Sequence, residues 1–503
     1  MKRRELLKIS SLLASALPRA RSIPPSHPAA VGAQNVIVLL FDTWSAMNVS
    51  LYGYERGTTP NLSRIAEKAT VYHHHFAGGH ETYSGTTALL TGAFNWTTWG
   101  FGGNKAIRPP FDRVNLFGAF DDYHRIAYTH NPVAEQLLDY FTRHIDHYQP
   151  RQSLYINSDY WLNDIFGRDL DIAGLSWVRA SSYQDDGYAN SLYIGHLYEQ
   201  YQERLVASYR DQFPLGPPVI QEDNYFILED AIDWIQQQAL SAPRPYLGYY
   251  HLLPPHAKYK PRREFFDRFR SDGFEPVFKP SHPLANRPND TNLSKSRKMY
   301  DEYMLYVDAE LGRLYDFLQD NDQLKDTWLV LTSDHGEMFE RGIYGHRQPT
   351  FHNPVIRVPL LIFGPGQTTR QDVYEPTSAV DVLPTLLHLT GHEIPHELDG
   401  IVLPPFSQEE ALRERNIYDA AWEMNLARNV RMNATAMLVR DQYKLIYYEG
   451  YDELPGKQPY FELYDHQNDP QELYNLYQQQ PKVSEELFMV LQERMQQADS
   501  ISD

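Results

Sequence analysis

Asn35-Val36-Ile37-Val38-Leu39-Leu40-Phe41-Asp42 is the stretch on which the fold turns. An unbroken apolar run that stops on an acid suits a strand buried on both faces, and such strands belong to parallel sheets covered by helices on each side. Four further runs read the same way: Arg125–Thr129, Tyr246–His251, Thr327–Thr332 and Val358–Phe363. Helical patterns separate them, notably Lys295–Leu318 and Ala379–Leu389, and Thr59-Pro60-Asn61-Leu62 reads as a helix start with proline in its first turn. Strands alternating with helices predict an α/β fold, a doubly wound and mostly parallel sheet.

Outward from this core the pattern changes twice. A region rich in Tyr, Asp and Asn, about residues 148–217, reads as an insertion or lid. From residue 416 onward short strands (Met437–Arg440, Tyr443–Tyr448, Tyr460–Tyr464) precede an amphipathic helix, Val483–Met495, which predicts a smaller α+β subdomain over 416–503. The catalytic body is then expected over 35–415. Residues 1–34 read as an export signal and linker: a basic start, a short apolar stretch, and Arg3-Arg4-Glu5-Leu6-Leu7-Lys8 in the twin-arginine style. The expected location is therefore periplasmic or extracellular. No later stretch is long and apolar enough to be expected as a transmembrane helix.

Composition narrows the function. The chain has 503 residues, with 46 Lys+Arg against 65 Asp+Glu, a net charge of −19. That balance argues against nucleic acid as a partner, because such binding needs a basic face. There are no cysteines, which excludes disulfides, thiolate metal sites and a cysteine nucleophile.

In a doubly wound sheet ligands gather beyond the carboxyl ends of the strands. Asp42 ends the first strand and Ser333-Asp334-His335-Gly336 ends a later one. Two carboxylates and an imidazole at one edge would suit a divalent cation, although an acid after a buried strand is also a common turn or capping residue. His73-His74-His75 is set aside: on a strand, alternate members point oppositely and cannot hold one ion together.

These pieces occur in a series. Leu51-Tyr-Gly-Tyr-Glu-Arg-Gly-Thr-Thr-Pro-Asn-Leu62, Ala88-Leu-Leu-Thr-Gly92, His251-Leu-Leu-Pro-Pro-His256, Thr332-Ser-Asp-His-Gly-Glu337, Ile343-Tyr-Gly-His346, Arg357-Val-Pro-Leu-Leu-Ile362 and Ala379-Val-Asp-Val-Leu-Pro-Thr-Leu-Leu387 follow one another in order. With Tyr443-Lys-Leu-Ile-Tyr-Tyr448 and Glu462-Leu-Tyr-Asp465, the series resembles the sulfatase family of the alkaline phosphatase superfamily from about Asn35 to Met495.

The resemblance implies a nucleophile at Thr82, at a helix start. Sulfatases carry there a Cys or Ser that is oxidised to formylglycine. Thr82-Tyr83-Ser84-Gly85-Thr86 offers neither in register, so no formylglycine is expected. Thr82 instead looks like the threonine nucleophile of phosphodiesterase-, phosphonate- and phosphoglycerol-transferring relatives; read by itself, it reads first as a helix-capping threonine. By the same likeness Asp42, Asp334 and His335, with the Thr82 oxygen, are the expected metal ligands. Thr43 stands where the family commonly has a second Asp. The expected ion is Zn, Mn or Ca: calcium is the usual sulfatase type, but the mixed O/N donor set favours a transition metal. His256 and His346 match positions that contact the ester oxygens or protonate the leaving group, and His130 is a further substrate-contact candidate. The expected activity is a metal-dependent hydrolase or transferase acting on a small-molecule or polymer ester, phosphate or phosphonate ahead of sulfate. The alternatives are a sulfuric ester hydrolase in the strict sense and a binding protein on a retired scaffold.

Overall fold

A computed structural model of the chain describes residues 33–101, 107–157, 172–175, 178, 190–220, 224–287, 292–407, 415–425 and 430–500. The expected export segment and much of the expected insertion lie outside these residues. No helix among the described residues is long and apolar enough to cross a membrane.

The central sheet, among the described residues, has eight strands: β1 (Asn35–Phe41), β2 (Thr70–Tyr72), β3 (His124–Thr129), β4 (His147–Gln149), β5 (Tyr246–Leu252), β6 (Thr327–Thr332), β7 (Leu360–Phe363) and β8 (Gln371–Val373). Their order across the sheet is β8-β2-β7-β6-β1-β5-β3-β4. β1 lies between β5 and β6 and runs parallel to both, with Leu40 level with His251 on one side and Thr332 on the other. β7 is antiparallel to both of its neighbours. Every residue of β1 is buried. Its alternate side chains enter two different cores: Ile37, Leu39 and Phe41 pack on one face, Val36, Val38 and Leu40 on the other. That division is the physical reason the run is apolar throughout rather than alternating.

The longer helices among the described residues are α1 (Thr82–Thr91), α2 (Pro132–Asp139), α3 (Asn190–Ser208), α4 (Leu228–Ser241), α5 (Leu293–Asp320), α6 (Val382–Thr390) and α7 (Pro481–Ser500). Tyr300, Tyr303, Met304, Val307 and Leu311 of α5 bury against one face of the central sheet, and Leu89 and Leu90 of α1 with Leu383 and Leu386 of α6 against the other. The mixed α/β, doubly wound architecture therefore stands as expected.

The C-terminal part is an antiparallel sheet of four strands, β9 (Asn416–Asn425), β10 (Val430–Arg440), β11 (Tyr443–Glu449) and β12 (Tyr460–Asp465), covered by α7. β9 is not among the expected strands, and β10 is longer than the expected Met437–Arg440. The apolar members of the alternation there are small, Ala434 and Ala436, and carry a weak strand preference; pairing with the partner strand holds the segment extended. The triple histidine is not one continuous strand: β2 stops at Tyr72, His73 pairs with Asp372 at 2.6 Å, and His75, which opens a two-residue strand with Phe76, meets the Thr377 hydroxyl at 3.0 Å.

Candidate active site

Three adjacent strand ends build the site. Asp42 follows β1, Asp334 and His335 follow β6, and His251 lies within the last two residues of β5. All four are fully or almost fully buried. Asp42, Asp334 and His335 each present a donor atom, and these atoms lie within 4.8 Å of one another.

Backbone groups aim the side chains. Asp334 Oδ1 accepts the N–H groups of Thr43 (3.3 Å) and His335 (3.0 Å), which leaves Oδ2 free. Thr43 makes its contact from a left-handed conformation, φ 60°, that a β-branched residue rarely adopts; the Tyr300 hydroxyl donates to its carbonyl at 2.6 Å and accepts from Ser45 N–H at 3.0 Å. The Ser333 hydroxyl, within 2.6 Å of the Phe41 carbonyl and 2.9 Å of Trp44 N, ties the β1 and β6 ends together. His335 Nδ1 lies 3.0 Å from the Gly336 carbonyl and donates to it, which puts the lone pair on Nε2, facing the acids.

Thr82 is the first residue of α1; the cap position belongs to Glu81. The Thr82 hydroxyl is thus not a helix cap. It lies 3.4 Å from His335 Nε2 and accepts from Asn131 Nδ2 at 3.2 Å. Asn131 Nδ2 also donates to Asp42 Oδ2. The close approach of α1 to the Asp334 loop requires Gly85, where a Cβ would fall 2.1 Å from the Asp334 carbonyl oxygen. Ser84, the out-of-register alternative, turns its hydroxyl back to the Glu81 carbonyl at 3.1 Å.

The electrostatics fit a cation between the acids. Burial works to raise the pKa of Asp42, but the imidazoles of His256, His251 and His335 outweigh it and hold the carboxyl well below its ordinary range. For His335, burial disfavours the charged form, and the carboxylates of Asp334 and Asp42 nevertheless raise its pKa. Asp42 Oδ1 and Asp334 Oδ2 are buried and have no hydrogen-bond partner among the described residues. His335 Nε2 stands 3.7 Å from the first and 3.5 Å from the second, too far for hydrogen bonds. Orphaned oxygens and an outward imidazole lone pair are the donor set a divalent ion takes.

His346 and His256 border the cluster: the His346 ring centroid is 4.3 Å from His335 and 5.3 Å from His256. His346 Nδ1 lies 3.1 Å from Glu337 Oε1, and His256 Nδ1 2.7 Å from the Ala257 carbonyl. His130, an expected substrate contact, follows β3 immediately before Asn131. Its ring is fully buried against Phe226 (4.4 Å) and Tyr128 (5.1 Å). The neighbouring Asn131 faces Thr82 in its place, because successive residues leaving a strand point opposite ways. The sequence alone also assigns no role to His251, which only its strand neighbours reveal. For Asn131 the available signal is the capping sequence Asn131-Pro132.

Beside the start of α1 opens a cleft of about 300 Å³. His80, Glu81 and Arg347 line it together with Phe101, Trp422 and Tyr451. The rings of Phe101 and Trp422 stack at 4.9 Å, forming an aromatic wall.

The chain that carries this hydroxyl, these buried acids and these imidazoles at the rim of its doubly wound sheet is an ester hydrolase of the alkaline phosphatase superfamily. More narrowly, the chain belongs to the sulfatase family: the Sulfatase family model matches residues 34–156 and 172–392. A second model, N-sulphoglucosamine sulphohydrolase, C-terminal, matches residues 339–500. Arylsulfatase K of Canis lupus familiaris is 24% identical over 431 residues, covering 75% of this chain and 77% of that protein. Among solved structures, the phosphonate monoester hydrolase of Agrobacterium radiobacter superposes with a TM-score of 0.67 at 19% identity, covering 92% of this chain and 96% of the other. A 2-O GAG sulfatase, BT1596, gives 0.59 at 16% identity, covering 93% and 92%.

Proposed function

We propose that the protein is a metal-dependent hydrolase in which Thr82 is the nucleophile, and that phosphate or phosphonate esters are favoured over sulfate esters. The observation that carries this reading is the placement of the Thr82 oxygen 3.4 Å from His335 Nε2 and 3.2 Å from Asn131 Nδ2, beside two acids with orphaned oxygens.

Asp42, Asp334, His335 and the Thr82 oxygen would hold the ion. When bound, a divalent ion lowers the pKa of a hydroxyl and withdraws charge from the non-bridging oxygens of an ester. The protein's own groups do the rest. Asn131 orients the Thr82 oxygen, and the N–H groups at the start of α1 favour the anionic group being transferred. The Thr82 oxygen bonds to phosphorus as the bond to the leaving oxygen breaks; the threonine proton goes to solvent, and His256 or His346 relays a proton from solvent to the leaving oxygen. Water then attacks the threonyl ester, freeing the acid and restoring Thr82. The cleft walled by Phe101 and Trp422 would take the leaving alcohol.

Phosphorus is favoured for a chemical reason. A sulfated threonine lacks the second hydroxyl with which formylglycine expels sulfate, so its turnover would be slow. The likeness to a phosphonate monoester hydrolase supports this choice, and the likeness to arylsulfatase K supports the sulfate alternative.

The test is a panel of aryl sulfate, phosphate monoester, phosphate diester and phosphonate monoester substrates, assayed across zinc, manganese and calcium. Phosphonate or diester turnover should dominate, and Thr82→Ala should lower kcat by at least about 10³-fold, as loss of a covalent nucleophile does. Activity indifferent to that substitution would remove Thr82 from the mechanism, and rapid sulfate release without phosphoesterase activity would reverse the substrate order.

A further inference from the structure

We propose that His251 is a further ligand of the ion held by Asp42, Asp334 and His335, so that the site carries two imidazoles and selects a nitrogen-accepting transition ion such as zinc over calcium. This rests on the metal-dependent reading above.

The position comes from topology. β5 is the strand beside β1 on the side away from β6, and its register sets His251 level with Leu40, two residues before Asp42. The three central strand ends thus each bring a donor to the two acids, with His335 against Asp42 Oδ1 and His251 against Asp42 Oδ2, the oxygen that also accepts from Asn131. The His251 ring is fully buried, and its Nε2 has no hydrogen-bond partner among the described residues. That atom lies 3.6 Å from Asp42 Oδ2 and 3.6 Å from Asp334 Oδ2.

Those distances separate two explanations. A charged imidazole wedged between two carboxylates would hydrogen-bond to them at about 2.7–2.9 Å. Donors that share one ion with bonds of about 2.0–2.2 Å in tetrahedral array stand roughly 3.4 Å apart. The His251 distances match the second pattern, as do those of His335 Nε2, at 3.5 Å from Asp334 and 3.7 Å from Asp42. The other ring nitrogen agrees: His251 Nδ1 lies 3.4 Å from the Tyr249 hydroxyl, which can accept its proton and leave the Nε2 lone pair for the ion. Charge balances as well, since two carboxylates and two neutral imidazoles neutralise a divalent cation. Imidazole donors suit zinc and its neighbours, whereas calcium takes oxygen ligands.

X-ray absorption on the zinc-loaded wild-type protein counts imidazole ligands without any substitution, and two are expected. Zinc and calcium are then titrated calorimetrically into the chelator-stripped wild type, into His251→Gln, and into His335→Ala as the reference for loss of one imidazole. His251→Gln should weaken zinc at least about 10²-fold, more than loss of an outer partner costs, while changing calcium affinity little. A single imidazole in the absorption spectrum, wild-type zinc affinity in His251→Gln, or calcium bound more tightly than zinc by the wild type would each overturn the proposal while leaving the metal site standing. A wild-type protein that binds neither ion would overturn the metal-dependent reading itself.

Discussion

Asn131 accepts the N–H groups of Val133 and Ala134 through Oδ1, at 2.7 and 3.3 Å, and so caps α2. With that oxygen committed, its amide nitrogen is fixed towards Asp42 and Thr82. The two roles can be separated. Serine caps helices about as well as asparagine, but its hydroxyl cannot span to Thr82. Asn131→Ser should therefore leave thermal unfolding nearly unchanged and lower kcat by about 10²-fold, the scale seen on removing one preorganised donor. Asn131→Ala should show the same kinetic loss and, in addition, destabilise the protein by about 1 kcal/mol. Equal losses of stability in the two variants would show that the amide is not held by the cap. At this scale the sequence is legible only in part. Asp42, Asp334 and His335 stand out because each follows a buried apolar run. The sequence points to His130 where the structure brings Asn131, and a shift of one residue at a strand end exchanges the face that a side chain sees.

Helix α1 owes its position to a contact that no side chain makes. Gly85 lets its backbone meet the Asp334 carbonyl, and this sets Thr82 against the acids. In an exposed helix interior, glycine to alanine stabilises by about 1 kcal/mol. Here the added methyl would strike backbone that cannot rotate away, and Gly85→Ala should instead destabilise by about 1–3 kcal/mol. It should also reduce kcat, because α1 must retreat from the Asp334 loop; a denaturant midpoint raised by the substitution would refute the close-contact account. The elements themselves are largely readable. β6 spans the expected Thr327–Thr332, and α5 extends the expected Lys295–Leu318 by a few residues in total. β9 escapes notice because its partner β10 supplies what its own composition lacks.

Across the whole molecule, the C-terminal sheet is locked to the catalytic body by buried polar groups. Lys444 of β11 donates to the Phe351 carbonyl and to Asn353 Oδ1, both at 2.8 Å, and pairs with Glu472. His352 lies 3.2 Å from Glu462 of β12, and His282 lies 3.7 Å from it. Burial lowers the pKa of His75 to about 3, and those of His282 and His466 to about 4. An unfolded imidazole titrates at about 6.5. Between those values the unfolded chain takes up protons that the folded one refuses, so the stability these groups contribute is present above about pH 6.5 and is lost as pH falls towards 4. Burial tends to raise the pKa of Glu462, but His352 and His282 depress it, which adds loss in the same direction below its ordinary value of 4.5. The urea midpoint should therefore fall steadily from about pH 7.5 to about pH 5; a flat profile would mean that these rings are protonated in the folded state.

Apolar runs and their spacing determined, without coordinates, that the chain forms a helix-covered, mostly parallel sheet, since burial on both faces writes itself into consecutive residues. They also marked the acids at the strand ends. Which groups converge there was decided only by tertiary structure. His251 joins Asp42 because β5 lies beside β1, although β2 to β4 and α1 to α4 all intervene along the chain. A pairing between strands so far apart in sequence is set by how the whole sheet closes around its core, and it leaves no local trace in either segment.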